Sequence, residues 1–101
     1  MADPAGGTLH LTHGARMPRI GLGTWPMDDA EAERVIADAI TAGYRLFDTA
    51  ENYGNERGVG AGVRASGIDR GDVFITSKFN REWHSVVGVA EAFERSLERM
   101  G

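Results

Sequence analysis

A carboxylate, a phenol and an ammonium stand at spacings that could bring them together, and such a trio can hold and pass a proton. Asp48 closes the run Leu46-Phe47-Asp48, and Tyr53 follows five residues later. Lys78 closes a second run of the same design, Val73-Phe74-Ile75-Thr76-Ser77-Lys78. Short apolar runs bounded by polar residues read as buried strands. The pattern therefore predicts Asp48 and Lys78 at the carboxyl ends of adjacent parallel strands, with Tyr53 on the loop above. In α/β folds that end is where ligands bind. Lys78 is also the only lysine beside ten arginines. A compact ammonium with a tunable pKa does what a guanidinium cannot, which adds some weight to Lys78 as a chemical group.

The elements that must position these groups follow from periodicity and caps. Residues 1–7 are small and polar and predict a disordered tail. Thr8 to Thr12 alternates, Gly14 turns the chain, and Ala15 to Ile20 returns, predicting a hairpin with Pro18 at an edge. His10 and His13 make an H-x-x-H pair, but that spacing on a strand points them to opposite faces, so no metal site is expected. Ile20-Gly21-Leu22-Gly23-Thr24-Trp25 reads as a short glycine-rich strand. Asp28 is then a helix N-cap with Glu31 three residues on; Ala32, Val35, Ile36, Ala39 and Ile40 share one face, and Gly43 supplies the stop. Asn55 and Glu56 open a second helix that carries Val59, Val63 and Ile68 inward and ends near Gly67. Its Gly58, Gly60 and Gly62 each weaken it by roughly 1 kcal/mol relative to alanine. Asn80 to His84 is a loop, and Ser85 caps a third helix whose expected buried face is Val86, Val89, Ala90, Phe93, Leu97 and Met100.

Composition bounds the partners. The chain has 101 residues, 42% hydrophobic and 26% charged, with a net charge of −4. That is the composition of a soluble globular domain, and its mild acidity argues against a nucleic acid partner. Cysteine is absent, so disulfides and thiolate metal sites are excluded, and a reducing cytoplasm is the compatible compartment. No apolar run of ~18 residues offers a membrane span, and the amino terminus lacks a signal pattern.

Three blocks carry a resemblance: Gly21-Leu22-Gly23-Thr24-Trp25, the run from Gly43 through Asp48, Tyr53 and Asn55 to Glu56, and Ile75-Thr76-Ser77-Lys78. They look like the amino-terminal part of the aldo-keto reductases, and the similarity runs from about Leu9 to Gly101. The resemblance implies an α/β fold, a hairpin followed by three βα units of a (β/α)8 TIM-type barrel, over residues 8–101. Such a barrel takes ~250 residues, so the section is incomplete as given. It further implies reduction of aldehyde or ketone carbonyls with NADPH, or with NADH. Tyr53 would be the general acid, its phenol of ordinary pKa ~10 brought down by Lys78. Asp48 would hold Lys78 and contact the nicotinamide ribose. Thr24 and Trp25 would lie near the cofactor, and Trp25 and Tyr53 would line the substrate pocket. Phe79 and Asn80 stand where many relatives carry leucine and tryptophan, so the resemblance leaves the carbonyl substrate open.

The same resemblance places a fourth catalytic group, a histidine, on a fourth strand beyond Gly101; His84 is not its equivalent. The 101 residues alone are therefore expected not to turn over. An alternative is a non-catalytic remnant that acts through association with itself or with a complementary barrel piece. A weaker alternative is a Rossmann-type dinucleotide module, since Gly21-Leu22-Gly23 precedes Asp48 at a plausible distance. Its third glycine position is Pro26, however, and the Gly58-Val59-Gly60-Ala61-Gly62 run misses as well, at Val63.

Overall fold

The structure, a computed structural model, describes residues 4–101. The amino-terminal hairpin pairs β1 (Thr8–His10) antiparallel with β2 (Arg16–Pro18), joined by a turn in which His13 and Gly14 both have positive φ. His10 lies on β1, with Nε2 3.5 Å from an Arg16 guanidinium nitrogen, and His13 lies in the turn. Within the tail expected for residues 1–7, Ala5 N donates to Gly43 O at 3.2 Å and Arg19 N to Gly7 O at 3.0 Å. These bonds tie the segment to the helix end and the hairpin. The remainder of the tail lies outside the described residues.

Three short parallel strands form the sheet in the order β3 (Leu22–Gly23), β4 (Leu46–Asp48), β5 (Phe74–Thr76). β3 and β5 are shorter than the runs expected for them and β4 matches its run, yet the ladder continues past the strands. Thr24 N donates to Asp48 O at 3.0 Å, Thr49 N to Thr76 O at 2.8 Å, and Glu51 N to Lys78 O at 2.9 Å. The sheet is therefore hydrogen-bonded up to the residues that carry Asp48 and Lys78.

Helix α1 (Asp29–Thr41) connects β3 to β4, and α2 (Glu56–Ser66) connects β4 to β5. Asp28 caps α1 by accepting from Glu31 N at 2.8 Å, and α2 ends on the left-handed Gly67 at φ 78°. Ala32, Ile36 and Ile40 of α1, Val59 and Val63 of α2, Phe47 and Val73 form one buried cluster. Strand alternation sends Phe47 into that cluster and Leu46 and Asp48 to the opposite face.

Two expectations about the helices change. The glycines of α2 are contact points: a Cβ on Gly58 would overlap the Asp29 backbone of α1, one on Gly60 the Met100 backbone, and one on Gly62 would lie 2.6 Å from Ile36 Cβ. Alanine's propensity advantage is unavailable where helices approach this closely. The second change concerns α3 (Val86–Met100), capped by Ser85 Oγ accepting from Gly88 N at 2.9 Å. Its buried residues are Gly88 and Ala92, whereas Val86, Val89, Ala90, Phe93 and Leu97, expected inside, are exposed and Met100 is half-buried. The face that α3 turns to α2 instead carries Ser96 and Arg99, because a buried carboxylate waits there. The apolar stripe faces a groove of about 310 Å³ beside Ile75 and Phe79, with no cover among the described residues.

Candidate active site

Asp48 ends β4 and lies in register with Thr76 of β5. Its carboxylate accepts from Lys78 Nζ at 2.9 Å on both oxygens, and from Thr76 Oγ1 at 2.6 Å on Oδ1. The pair stands at an open mouth, with the Lys78 and Asp48 side chains 52% and 45% exposed. Burial pushes the Asp48 carboxyl up, but the hydrogen bonds from Lys78 and Thr76 and the ammonium's charge outweigh it and leave the group below its ordinary value. Burial likewise pulls Lys78 down, and its contacts with Asp48 and Tyr53 reverse this and raise it. Lys78 is therefore held as an ammonium.

Tyr53 comes from a single 3₁₀ turn, Glu51–Tyr53, that leaves the end of β4 and closes on the left-handed Gly54 at φ 70°. The turn brings the phenol ring beneath the ammonium, with Lys78 Nζ 5.1 Å from the ring centroid. Nζ donates to both Asp48 oxygens and at the same time stands over the Tyr53 ring. Asp48, Tyr53 and Lys78, the three groups singled out by type and spacing, thus meet at one end of the sheet.

The other two sequence candidates part company. Trp25 is 69% exposed. Thr24 is fully buried: its hydroxyl donates to Asp48 O at 3.0 Å and accepts from Asn55 Nδ2 at 3.2 Å. Its side chain is not open to a cofactor. It fixes the backbone of Asp48 instead.

Three supporting residues escaped sequence reasoning. Asn55, read only as the opening of a helix, is buried and makes no cap bond. Its amide donates to Thr24 O and Met27 O, both at 3.1 Å, while its carbonyl accepts from Thr49 Oγ1 at 2.6 Å. Thr76 reads in the sequence only as part of a strand, and nothing local marks its bond to Asp48. Glu56 is 2% exposed and takes three side chains, those of Ser77, Ser96 and Arg99. An acidic residue in the first turn of a helix is ordinary, so nothing local announced its burial.

The Rossmann alternative fails on geometry. Gly23 ends β3 and α1 begins only at Asp29, while Gly58, Gly60 and Gly62 lie inside α2, so neither glycine run forms a phosphate-cradling turn. Among the described residues no helix is long and apolar enough to cross a membrane.

Comparison with known proteins agrees with this arrangement. A family model described as "Aldo/keto reductase family" matches residues 19–101. The chain is 42% identical over 93 residues to morphine 6-dehydrogenase of Pseudomonas putida, covering 92% of this chain and 31% of that protein. A crystal structure of an aldo/keto reductase from Brucella melitensis superposes with a TM-score of 0.88 at 38% identity, over 96% of this chain and 38% of that one. A Bombyx mori aldo-keto reductase in complex with NADP superposes with a TM-score of 0.85 at 28% identity, over 100% of this chain and 36% of that one. The chain spans about a third of the length of the curated relatives it matches. An α/β unit with parallel strands, matched by this family model over most of its length, belongs to the aldo/keto reductase family.

Proposed function

We propose that this chain carries the proton-delivering part of a nicotinamide-dependent carbonyl reductase, folded as the hairpin and first three βα units of a (β/α)8 barrel. The observation that carries the reading is the Lys78 ammonium, bound by both Asp48 oxygens at 2.9 Å and 5.1 Å from the Tyr53 ring centroid. Tyr53 gives its proton to the carbonyl oxygen of an aldehyde or ketone and becomes a phenolate. The Lys78 ammonium beside the ring offsets the negative charge that develops on the phenolate as the proton leaves. Asp48 keeps Lys78 charged and aimed. The phenolate then recovers a proton from solvent.

The cofactor is NADPH, with NADH as the second candidate, and when bound its nicotinamide supplies the hydride. The described residues fit its nicotinamide end. Asp48 is half-exposed and retains acceptor capacity for a ribose hydroxyl beyond its bond to Lys78, and the exposed Trp25 indole offers an apolar wall. A neighbour solved with NADP supports the choice. The test is aldehyde-dependent NADPH oxidation by this chain joined to the remaining two thirds of a relative's barrel. Turnover in the completed protein and none in the 101 residues alone is expected. No turnover in a folded, completed barrel would sink the reading.

A second reading, association with another barrel piece or a second copy, is favoured by one observation. Among the described residues the outer edge of β5 is unpaired, and Val89, Phe93 and Leu97 stand exposed beside it. Addition of a strand and its helix would cover both. The two readings are compatible, since completion of the barrel is the association.

A further inference from the structure

Glu56 begins α2 yet is almost fully buried, and its carboxylate binds groups from β5's end and from α3. Oε2 accepts from Ser77 Oγ at 2.6 Å and from Ser96 Oγ at 2.8 Å. Oε1 accepts from Arg99 Nε at 2.7 Å. Arg99 also reaches the other carboxylate nearby, with a terminal guanidinium nitrogen 3.7 Å from Glu51 Oε2. Glu51 opens the turn that carries Tyr53, donates its backbone N–H to Lys78 O at 2.9 Å, and accepts from Trp83 Nε1 at 3.1 Å.

These contacts converge on one place. Ser77 immediately precedes Lys78, and Glu51 grips the Lys78 carbonyl, so the lysine's backbone is held on both sides by groups that end on the Glu56–Arg99 pair. Arg99 in turn spans the turn bearing Tyr53 and the strand end bearing Lys78. We infer that Glu56 is a positioning residue: through Ser77 on one side and Arg99–Glu51 on the other, it sets where the Lys78 ammonium stands relative to Asp48 and Tyr53. A carboxylate does this better than a neutral side chain, because a buried charge bonded to a guanidinium and two hydroxyls tolerates little displacement. Glu56 touches neither substrate nor cofactor in this account. The inference rests on the proposed function only in taking Lys78 as part of the site.

The chain's single lysine makes the test direct, since isotope-labelled lysine gives one side-chain signal. Its position and titration midpoint are measured in the wild-type chain, in Glu56→Gln, in Ser77→Ala and in the double variant. Val63→Ala, two turns further along α2 in the core, reports on general destabilisation. Glu56→Gln and Ser77→Ala should both move the signal and bring the midpoint down toward that of free lysine. The double variant should go no further than Glu56→Gln alone, because Ser77 acts through the carboxylate. Val63→Ala should lower the melting temperature and leave the signal in place. An unmoved signal in both site variants, an equal shift in Val63→Ala, or a free-lysine signal in the wild-type chain would each overturn the inference. None of these readings depends on hydride transfer, so failure here is distinct from failure to reduce an aldehyde.

Discussion

Replacing Asp48 by asparagine separates what the fold needs from what the site needs. The carboxylate receives Lys78 Nζ at 2.9 Å on both oxygens and Thr76 Oγ1 at 2.6 Å. Distances that short suggest a strong anchor, but the two side chains are 45% and 52% exposed. An ion pair so open to solvent is worth only ~0.2–1 kcal/mol. Asparagine keeps an acceptor for Thr76, whose bond is worth a further ~0.5–1.5 kcal/mol at most. Asp48→Asn should therefore cost about 1 kcal/mol, a melting shift of about 4–8 °C for a domain of this size. The pH dependence carries the same signature. Asp48 sits below its ordinary value, so its contribution is present above pH ~4 and lost as pH falls through the folded value. Lys78 sits above its ordinary value, so its contribution is present below pH ~10 and lost as pH rises through the folded value. The wild-type minus Asp48→Asn stability difference should be flat from about pH 5 to 9 and should fade at both ends. Urea titrations across that range measure it. A cost above ~3 kcal/mol, or a difference that grows toward acid, would refute the view that the pair is placed by the fold and does not hold it together.

The remaining expectations are brief. Gly62→Ala should destabilise by up to about 2 kcal/mol despite alanine's helix advantage of ~1 kcal/mol, because overpacking against Ile36 and Glu33 O costs about 1–3 kcal/mol; a gain in the urea midpoint would contradict this. Asn55→Ala should cost more than ~2 kcal/mol, since each buried partner left without its bond costs ~1–3 kcal/mol, and calorimetry would show it. The 101-residue chain should self-associate through α3 and the β5 edge. Sedimentation should show a shift toward monomer when Phe93 and Leu97 are both made polar.

The placement of Asp48 and Lys78 was legible in the sequence. Asp48 and Lys78 end apolar runs, and parallel strands in register carry such ends to one side, so type and spacing alone brought them together. Caps were equally readable, because Asp28 and Ser85 act on backbone groups three residues away. What failed was everything decided by a distant partner. The inward face of α3 could not be read from its periodicity, because the strongest contact across that interface is polar: Ser96 and Arg99 meet Glu56 some forty residues away. The apolar stripe of Phe93 and Leu97 misled for the same reason, since hydrophobic periodicity shows that a face wants cover and not where the cover is. Glycines in α2 read as weakness, because propensity is local and the approach of Asp29 and Met100 is not. Thr24 followed a family pattern to the cofactor, whereas its hydroxyl is committed to the backbone of Asp48.

The central claim is that Tyr53 acts as the acid, and Tyr53→Phe in the completed barrel tests it most directly. The phenol's proton matters in the transition state and contributes little to holding cofactor, so rate and binding should separate. NADPH binding, followed by quenching of the tryptophans, should stay within a few-fold of the parent. Aldehyde reduction should fall by about 10²–10⁴-fold, the range expected for loss of a positioned general acid. Reduction that persists within tenfold of the parent, with NADPH still bound, would contradict the assignment of Tyr53.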